Sequence, residues 1–576
     1  VKLENQDVAE VFERIANLLQ IQNEPPYRVL AYRRASESIR SLTRNLEEIW
    51  EEDALEEIPG VGKAIAEKIS ELLNTGMLEF YDRLISKVPE SLLELLDVPG
   101  VGPKRIALFW KELDVTTLDD LEEAARNNHL QSLPGIGERT EKQILQNIES
   151  LKSREVGRIS IGIAWPLANS ILEHLRQLPD VMVAEVAGSL RRGRETVGDL
   201  DFVIASDKAA KVIEDIKGFS AIKKVLSHGE KKLSVEMEEG IRTQFWVHSP
   251  DRFGSALQFA TGSQAHNVRL REFALSKGLS LSEYGYRTED DTEILCPEET
   301  DVYERLGLPW IAPELREDRG EIQAAVDGKL PELIEEKDIK GEVHAHSNWS
   351  DGMASIQEMV DAAIELDLSY LVISDHSRSL GVANGLSIDR LQQQRKEIDS
   401  VQKKIGNKLK LLQGSEVEIL ADGRLDYPDS VLKELDFVVA SLHSSLRQSR
   451  EKITARYLSA ITNPHVDLIG HLSGRLIGRR DPADLDIEVI LKAATKHGVA
   501  LEINAHPDRL DLNEINAKRA IELGCLLAIT TDAHRPDHFH MRRYGVGIGR
   551  RAWVSPESVI NTWEVDRLLK WVTSRG

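Results

Sequence analysis

Cysteine is nearly absent from this chain: Cys296 and Cys525 are the only two in 576 residues. Neither sits in a spaced thiolate motif, which excludes a disulfide framework and a cysteine metal site. Cys525, within LGCLLAITTDAH, reads as a buried small hydrophobe. No apolar run reaches 18 residues, which excludes a helical membrane span. The opening VKLENQDVAEVF is acidic and amphipathic and lacks a secretory pattern. We therefore expect a reducing, cytoplasmic compartment and no membrane partner. Positive charge is also short: 73 Lys and Arg stand against 96 Asp and Glu, a formal net charge of -23. That excludes a basic coat for wrapping DNA but leaves local patches and backbone amides for contacting it. It also leaves carboxylates in plenty for metal ligation. The length is too great for one hydrophobic core, so three or four domains are expected.

What is present is unevenly distributed. The first 150 or so residues read as helical, opening with the amphipathic LENQDVAEVFERIANLLQ. One pattern occurs there three times: LEEIPGVGKAIAEKI at 55–69, LLDVPGVGPKRIALF at 95–109 and LQSLPGIGERTEKQI at 130–144. Each has an apolar lead-in, Pro-Gly, a β-branched residue, Gly and then a helix. The glycine pairs Gly60 and Gly62, Gly100 and Gly102, and Gly135 and Gly137 permit a tight turn whose amides face outward, suited to holding a phosphate. Helix-hairpin-helix elements bind DNA backbone in this sequence-independent way. A single such turn is more often only a helix-helix corner, three copies in one apolar frame carry more weight, and the third, with Glu138, is the best candidate for a spacer. Upstream, YRVLAYRRASESIRSLTR gathers Arg28, Arg33, Arg34, Arg40 and Arg44, readable as a DNA-contacting patch or as a solvated helix face.

The middle region carries GSLRRGRETVGDLDFVI. Gly188-Ser189 follows the apolar strand VMVAEVA and precedes Arg191, Arg192 and Arg194, whose guanidiniums, with the turn amides, suit triphosphate oxygens. DLDFVI reads as a strand, so Asp199 and Asp201 share a face about 7 Å apart. Paired carboxylates at this spacing suit divalent cations, Mg²⁺ or Mn²⁺, for in-line nucleotidyl transfer. Such sites usually take a third carboxylate from a neighbouring strand. The next strand, GIRTQFWV, offers Gln244.

Eleven of the 16 histidines lie from His344 onward. GEVHAHSNWSDG places His344 and His346 on one strand face, with Asp351 in the following turn. His376, Glu416, His443, His471, Asp532 and His534 each stand at or just beyond the end of a short apolar run. Strand-then-ligand units separated by helices such as IQEMVDAAIEL suggest a β/α barrel with its chemistry at the C-terminal strand ends. Imidazole and carboxylate ligands suit Zn²⁺ or Mn²⁺. Clustered divalent ions point to phosphoester hydrolysis. Arg447 and Arg475 are candidate phosphate contacts and His506 a further polar residue at a strand end. Asp375 and His465 read as supporting or structural.

Taken together, GSLRRGRE, GDLD, TGSQAHNVRLR and the histidine clusters resemble the bacterial family X DNA polymerases with a C-terminal PHP metal-dependent domain. The resemblance covers essentially the whole chain. It implies a multidomain fold: a helical DNA-end-binding domain at 1–85, a fingers-like helical domain at 86–150, an α+β nucleotidyltransferase palm at 151–258, a thumb at 259–320, a linker at 321–340 and a distorted β/α PHP barrel at 341–576. It further implies that Gly262, Ser263, Asn267 and Arg269 contact nucleotide at the start of the thumb. Phe259-Ala260 departs from the aromatic pair usual before TGS. The resemblance assigns His344, His346, Glu416 and Asp532 to one metal, and Glu416, His443 and His471 to a second. Asp351, His376 and His534 would hold a third, so two or three ions are expected. Lys68 falls where related eukaryotic repair polymerases place a Schiff-base lysine, against its ordinary reading as a solvated or phosphate-pairing lysine.

The family carries an acidic residue at Gln244 and Arg two positions on, where this chain has Trp246. An amide brings no negative charge and cannot accept the attacking hydroxyl's proton. The expectation is weak or absent polymerization, unless Glu236 or Glu238 substitutes. Three readings follow. The first is a DNA-repair 3′→5′ exonuclease and 3′-end phosphoesterase with a damaged palm. The others are a bifunctional gap-filling polymerase and exonuclease, and a non-catalytic scaffold for DNA ends. The implied partners are DNA with gaps or 3′ ends and deoxynucleotides, for a monomer at the bacterial nucleoid.

Overall fold

A computed structural model describes residues 5–40, 42, 44–98, 100–153 and 158–575. The chain divides into two compact units, Val1–Gly157 and Arg158–Gly576. No helix among the described residues is long and apolar enough to cross a membrane.

The first unit is helical. Its buried apolar residues form one cluster running from Val8 to Ile148, so the two helical segments expected at 1–85 and 86–150 share a core. The boundary expected at 150 falls within the helix Glu138–Ser153. All three glycine turns are built alike. The first glycine of each pair takes positive φ, +82° at Gly60, +83° at Gly100 and +76° at Gly135, a backbone that a Cβ disfavours. Between the glycines a buried β-branched residue, Val61, Val101 or Ile136, pins the turn to the core. The glycines themselves are exposed. Pro99 of the second repeat lies outside the described residues.

In the second unit the helix Ile161–Gln177 precedes a five-stranded sheet in the order Val183–Val186, Asp199–Ala205, Arg242–His248, Lys232–Met237, Ile222–His228. The strands bearing Asp201 and Gln244 are parallel neighbours. Phe202 and Phe245, alternating with these polar residues, turn to the other face and stack with ring centroids 5.4 Å apart. Two helices, Phe253–Thr261 and Gln264–Ser276, lead into a small three-stranded sheet. The first of them crosses the expected palm–thumb boundary at 258/259.

From Gly341 the chain forms a parallel seven-stranded sheet in sequential order, from Gly341–Ala345 to Leu527–Thr530. A bridge from Ala345 to Ala533 brings its ends together into a nearly closed barrel. Val372, Leu412, Val439 and Ala528 belong to one buried cluster with Trp563 and Leu568 from the C-terminal segment. Period two carries the face of Leu412 to Glu416 within its strand, while His376, His443 and Asp532 follow just past the ends of theirs, Asp532 at φ +51°. The apolar floor thus lies within the strands and the polar mouth at and just beyond their C-terminal ends.

Candidate metal centre

All nine residues singled out in the histidine-rich region meet at the C-terminal end of this barrel. Three groups of ligand atoms lie within 4.8 Å of one another: His344, His346, Glu416 and Asp532; His346, Asp351, His376 and His534; and His376, Glu416 and His443. The partition implied by the resemblance differs in two respects. His346 also faces the Asp351 group, and His376 also faces Glu416. His471 reaches the same carboxylate, its Nε2 lying 2.9 Å from Glu416 Oε1.

The donor set fits divalent cations. His344 Nε2, both ring nitrogens of His346, His376 Nδ1 and Glu416 Oε2 are buried without a hydrogen-bond partner. His346 Nε2 stands 3.1 Å from Asp532 Oδ1 and 3.5 Å from Glu416 Oε2. His376 Nδ1 is 2.9 Å from Glu416 Oε2 without hydrogen-bonding geometry. Buried polar atoms left unpaired are costly, and these five form a donor set that cations would satisfy. Burial works against the charge on Glu416, but the imidazoles of His443, His376 and His344 hold its carboxyl well below the usual range. Burial, with His534 and His376 beside it, pushes His346 down to about 3, so it is a neutral lone-pair donor.

Two carboxylates not anticipated from the sequence orient these ligands. Glu502 Oε1 accepts from His344 Nδ1 at 2.6 Å and Glu418 Oε2 from His443 Nδ1 at 2.8 Å. Each fixes the tautomer that turns Nε2 toward the centre. Both had a signal: Glu418 shares a strand face with Glu416, and Glu502 is a lone charge in the apolar strand Ala500–Asn504. Asp375 accepts from Ser347, Ser350 and Gln394, a bracing role in keeping with its supporting reading. His506 Nδ1 accepts from the Asp508 amide at 3.3 Å. Arg447 is exposed on the turn beyond His443. Arg475 is not free for phosphate: its Nη2 donates to Glu195 at 2.6 Å and to the Leu510 carbonyl at 2.6 Å.

In the five-stranded sheet, Asp201 is paired in register with Gln244, and Gln244 Nε2 donates to Asp199 Oδ2 at 3.2 Å. The amide therefore occupies the neighbouring-strand position. Glu236 is bound to Lys223 at 2.7 Å and Glu238 is exposed past the strand end, so neither takes its place. Burial, with Asp199 beside it, pushes Asp201 up to about 7, the signature of a carboxylate pair lacking enough nearby positive charge. Gly188, at φ +62°, has no room for a side chain, since a Cβ would lie 2.3 Å from Asp201 Oδ2.

The arginines of this turn point elsewhere than expected. Arg191 is paired with Glu299 at 2.6 Å and Arg192 with Glu317 at 3.0 Å, so both guanidiniums brace the thumb. Ser263 caps the helix carrying Asn267, whose amide is held by Gln258 and the Phe259 carbonyl. Arg269 pairs with Glu272 at 3.2 Å and remains half exposed.

In the helical unit Lys68 donates to the Ala64 carbonyl at 3.1 Å and lies 5.3 Å from the Phe80 ring centre. The upstream arginines pair with neighbouring side chains, Arg28 with Glu24, Arg40 with Glu13 and Arg44 with Glu52, as a solvated helix face does.

Comparison with known proteins places these features together. Family models match for a helix-hairpin-helix domain at residues 3–78, a helix-hairpin-helix tandem at 92–150, a DNA polymerase beta thumb at 256–317 and a PHP domain at 342–506. A DNA polymerase/3′-5′ exonuclease PolX of Bacillus subtilis is 40% identical, over 97% of this chain and 97% of that protein. The chain belongs to the PolX family. Two further likenesses are partial. A probable phosphatase of Thermoanaerobacter sp. is 29% identical over 38% of this chain and 89% of that protein. A DNA polymerase lambda of Arabidopsis thaliana is 27% identical over 54% of this chain and 62% of that protein. The PHP model ends at residue 506, so in this PolX chain Asp532 and His534 join the site from beyond the matched stretch.

Proposed function

We propose that this chain is a bifunctional DNA-repair enzyme: a metal-dependent 3′→5′ exonuclease and 3′-end phosphoesterase at the barrel, joined to a gap-filling polymerase whose rate Gln244 limits. The observation that carries the first activity is the convergence of nine candidate ligands with six unpaired buried atoms among them. His344, His346, Glu416 and Asp532 would hold one ion, His346, Asp351, His376 and His534 another, and His376, His443 and His471 a third beside Glu416. Zn²⁺ or Mn²⁺ bound there supplies Lewis acidity for phosphoester cleavage. Glu502 and Glu418 keep His344 and His443 in the ligating tautomer. Asp199 and Asp201 would take Mg²⁺ or Mn²⁺ in the palm, and the exposed Arg447 and the half-exposed Arg269, once released from Glu272, would reach DNA phosphates or nucleotide.

The Bacillus relative's name joins both activities, which supports a working palm over the inactive one expected from Gln244 alone. A scaffold without catalysis would leave the converging ligand set unexplained. DNA with gaps or 3′ ends is the substrate, held through the glycine-turn amides, and the enzyme acts as a cytoplasmic monomer.

A 5′-labelled recessed primer, incubated in Mn²⁺ with and without deoxynucleotides, tests this. The unmodified protein shortens the primer without nucleotides and extends it slowly with them. His344→Ala abolishes shortening and leaves extension. Gln244→Asp raises extension about 10-fold or more, as recovery of a general base does. Shortening that survives His344→Ala would refute the barrel assignment. Absence of extension by the unmodified chain, with extension by Gln244→Asp, would return the palm to the inactive reading.

A further inference from the structure

The basic turn between Gly188 and Asp199 is built against the PHP barrel at three points. Arg551, at the end of the helix Arg542–Arg551 and 1% exposed, donates through Nη1 to the Arg192 carbonyl at 2.7 Å and to Glu317 at 2.9 Å. Its Nη2 donates to Glu514 at 3.0 Å, and Glu514 also faces Arg194 at 3.8 Å. At the far end of the turn Glu195 receives Arg475. Glu317 is shared, since it accepts from Arg192 as well, and Arg192 in turn holds the Thr261 carbonyl just before Gly262-Ser263. Two segments of the polymerase half are thus secured by arginines of the hydrolase half.

The energetics favour a specific device over incidental contact. Arg551 is fully buried with two carboxylates, and a buried ion pair lowers stability unless its geometry and hydrogen bonds are good. Apolar packing would hold two domains together at lower desolvation cost. What the charges add is orientation: guanidinium forks fix the carbonyl of Arg192 and the carboxylate of Glu195 in direction as well as position. The turn so fixed carries Gly188 against Asp201, where a Cβ would lie 2.3 Å from the carboxylate, and Ala187, whose amide donates to the Asp201 carbonyl at 2.8 Å. We propose that Arg551 and Arg475 are positioning residues for nucleotide binding in the palm, so that the PHP domain completes the polymerase site without touching substrate. This rests on the polymerase reading above.

The test uses the full chain on a one-nucleotide-gapped duplex. Binding of a fluorescent deoxyadenosine triphosphate analogue in Mn²⁺ is measured beside primer shortening and thermal melting. Arg551→Gln and Glu195→Gln weaken nucleotide binding about 10-fold while primer shortening stays within about twofold, the 10-fold loss corresponding to roughly 1.4 kcal/mol. Exchanging the charges, Glu195→Arg with Arg475→Glu, recovers most of the binding lost in Glu195→Arg alone. Variants that bind nucleotide as tightly as the parent overturn this proposal by itself. Equal loss of binding and shortening, with a lower melting temperature, also overturns it, because the contacts would then hold the fold alone. If the parent binds no nucleotide while shortening primers, the polymerase reading and this one fall together.

Discussion

Glu418 and Glu502 act through the imidazoles they hold. Each accepts from the Nδ1 of a histidine whose other nitrogen faces the Glu416 carboxylate of the candidate metal centre, and Glu502 also accepts from the His471 amide and the Thr530 hydroxyl. Substitution to Gln keeps the volume and removes the charge that favours the ligating tautomer. Glu502→Gln is expected to lower Mn²⁺ affinity and primer shortening about 10- to 100-fold, as removal of an outer-sphere partner typically does. Titration of the apo-protein with Mn²⁺, read by calorimetry and by activity, checks this. An unchanged affinity would mean that Glu502 serves only to satisfy backbone and hydroxyl donors. Gln244 shows the same logic in reverse: its amide satisfies one lone pair of Asp199 while adding no charge for a cation to meet.

At the scale of elements, the glycine turns separate stability from binding. A Cβ at Gly100 meets only the Arg105 guanidinium, at 3.8 Å, while φ stays at +83°. Gly100→Ala therefore tests backbone strain alone and is expected to cost about 1 kcal/mol, measured by denaturant unfolding. At Gly60 the added methyl also meets Arg34 Cβ at 3.1 Å, so Gly60→Ala costs more. If the turn amides hold DNA phosphate, both changes weaken binding to a gapped duplex uniformly across sequences. Fluorescence anisotropy at two salt concentrations reads that out, and loss confined to one sequence would point to base contacts instead. The barrel strands show how an element delivers a site. Their alternation is set by burial, and the chemistry falls where the strands run out of floor.

At the scale of the molecule, buried ion pairs join the palm, thumb and barrel segments of the second unit. Burial pushes the Glu317 carboxyl up, but the guanidiniums of Arg551, Arg192 and Arg194 outweigh it and bring it down to about 2. Glu514, beside Arg551 and Arg319, is held below its usual range likewise. A carboxyl depressed in the folded state contributes stability that is present above its unfolded value and lost as pH falls through the folded one. Melting of the second unit is therefore expected to drop steeply between about pH 4.5 and 2, by on the order of 3 kcal/mol for Glu317. Glu317→Gln flattens that limb, and a parallel curve for the variant would contradict the assignment. Metal removal acts at the same scale. If ions bind only the folded barrel, chelation lowers its melting temperature in proportion to their affinity, while the helical unit, which lacks the ligand set, is unaffected. Differential scanning calorimetry with and without chelator distinguishes the two.

Much of this protein is legible in its sequence, for definite reasons. The glycine repeats, the Asp199/Asp201 pair and the nine barrel ligands are local patterns: a turn needing positive φ, a period of two, and a ligand at the end of each apolar run. Each sets its candidate donor groups within a few residues of chain. The sequence by itself determined which residue types could reach a cation and that Gln244 would stand beside Asp201. Only tertiary structure decided the rest. It turned Arg191, Arg192 and Arg475 from phosphate candidates into braces, because their partners Glu299, Glu317 and Glu195 lie 108, 125 and 280 residues away. It found Glu418 and Glu502 through their distance from imidazoles rather than through their spacing. It also merged the expected helical domains into one core. A charged side chain's role is set by what is packed across from it, and long-range packing leaves no periodic mark on the chain.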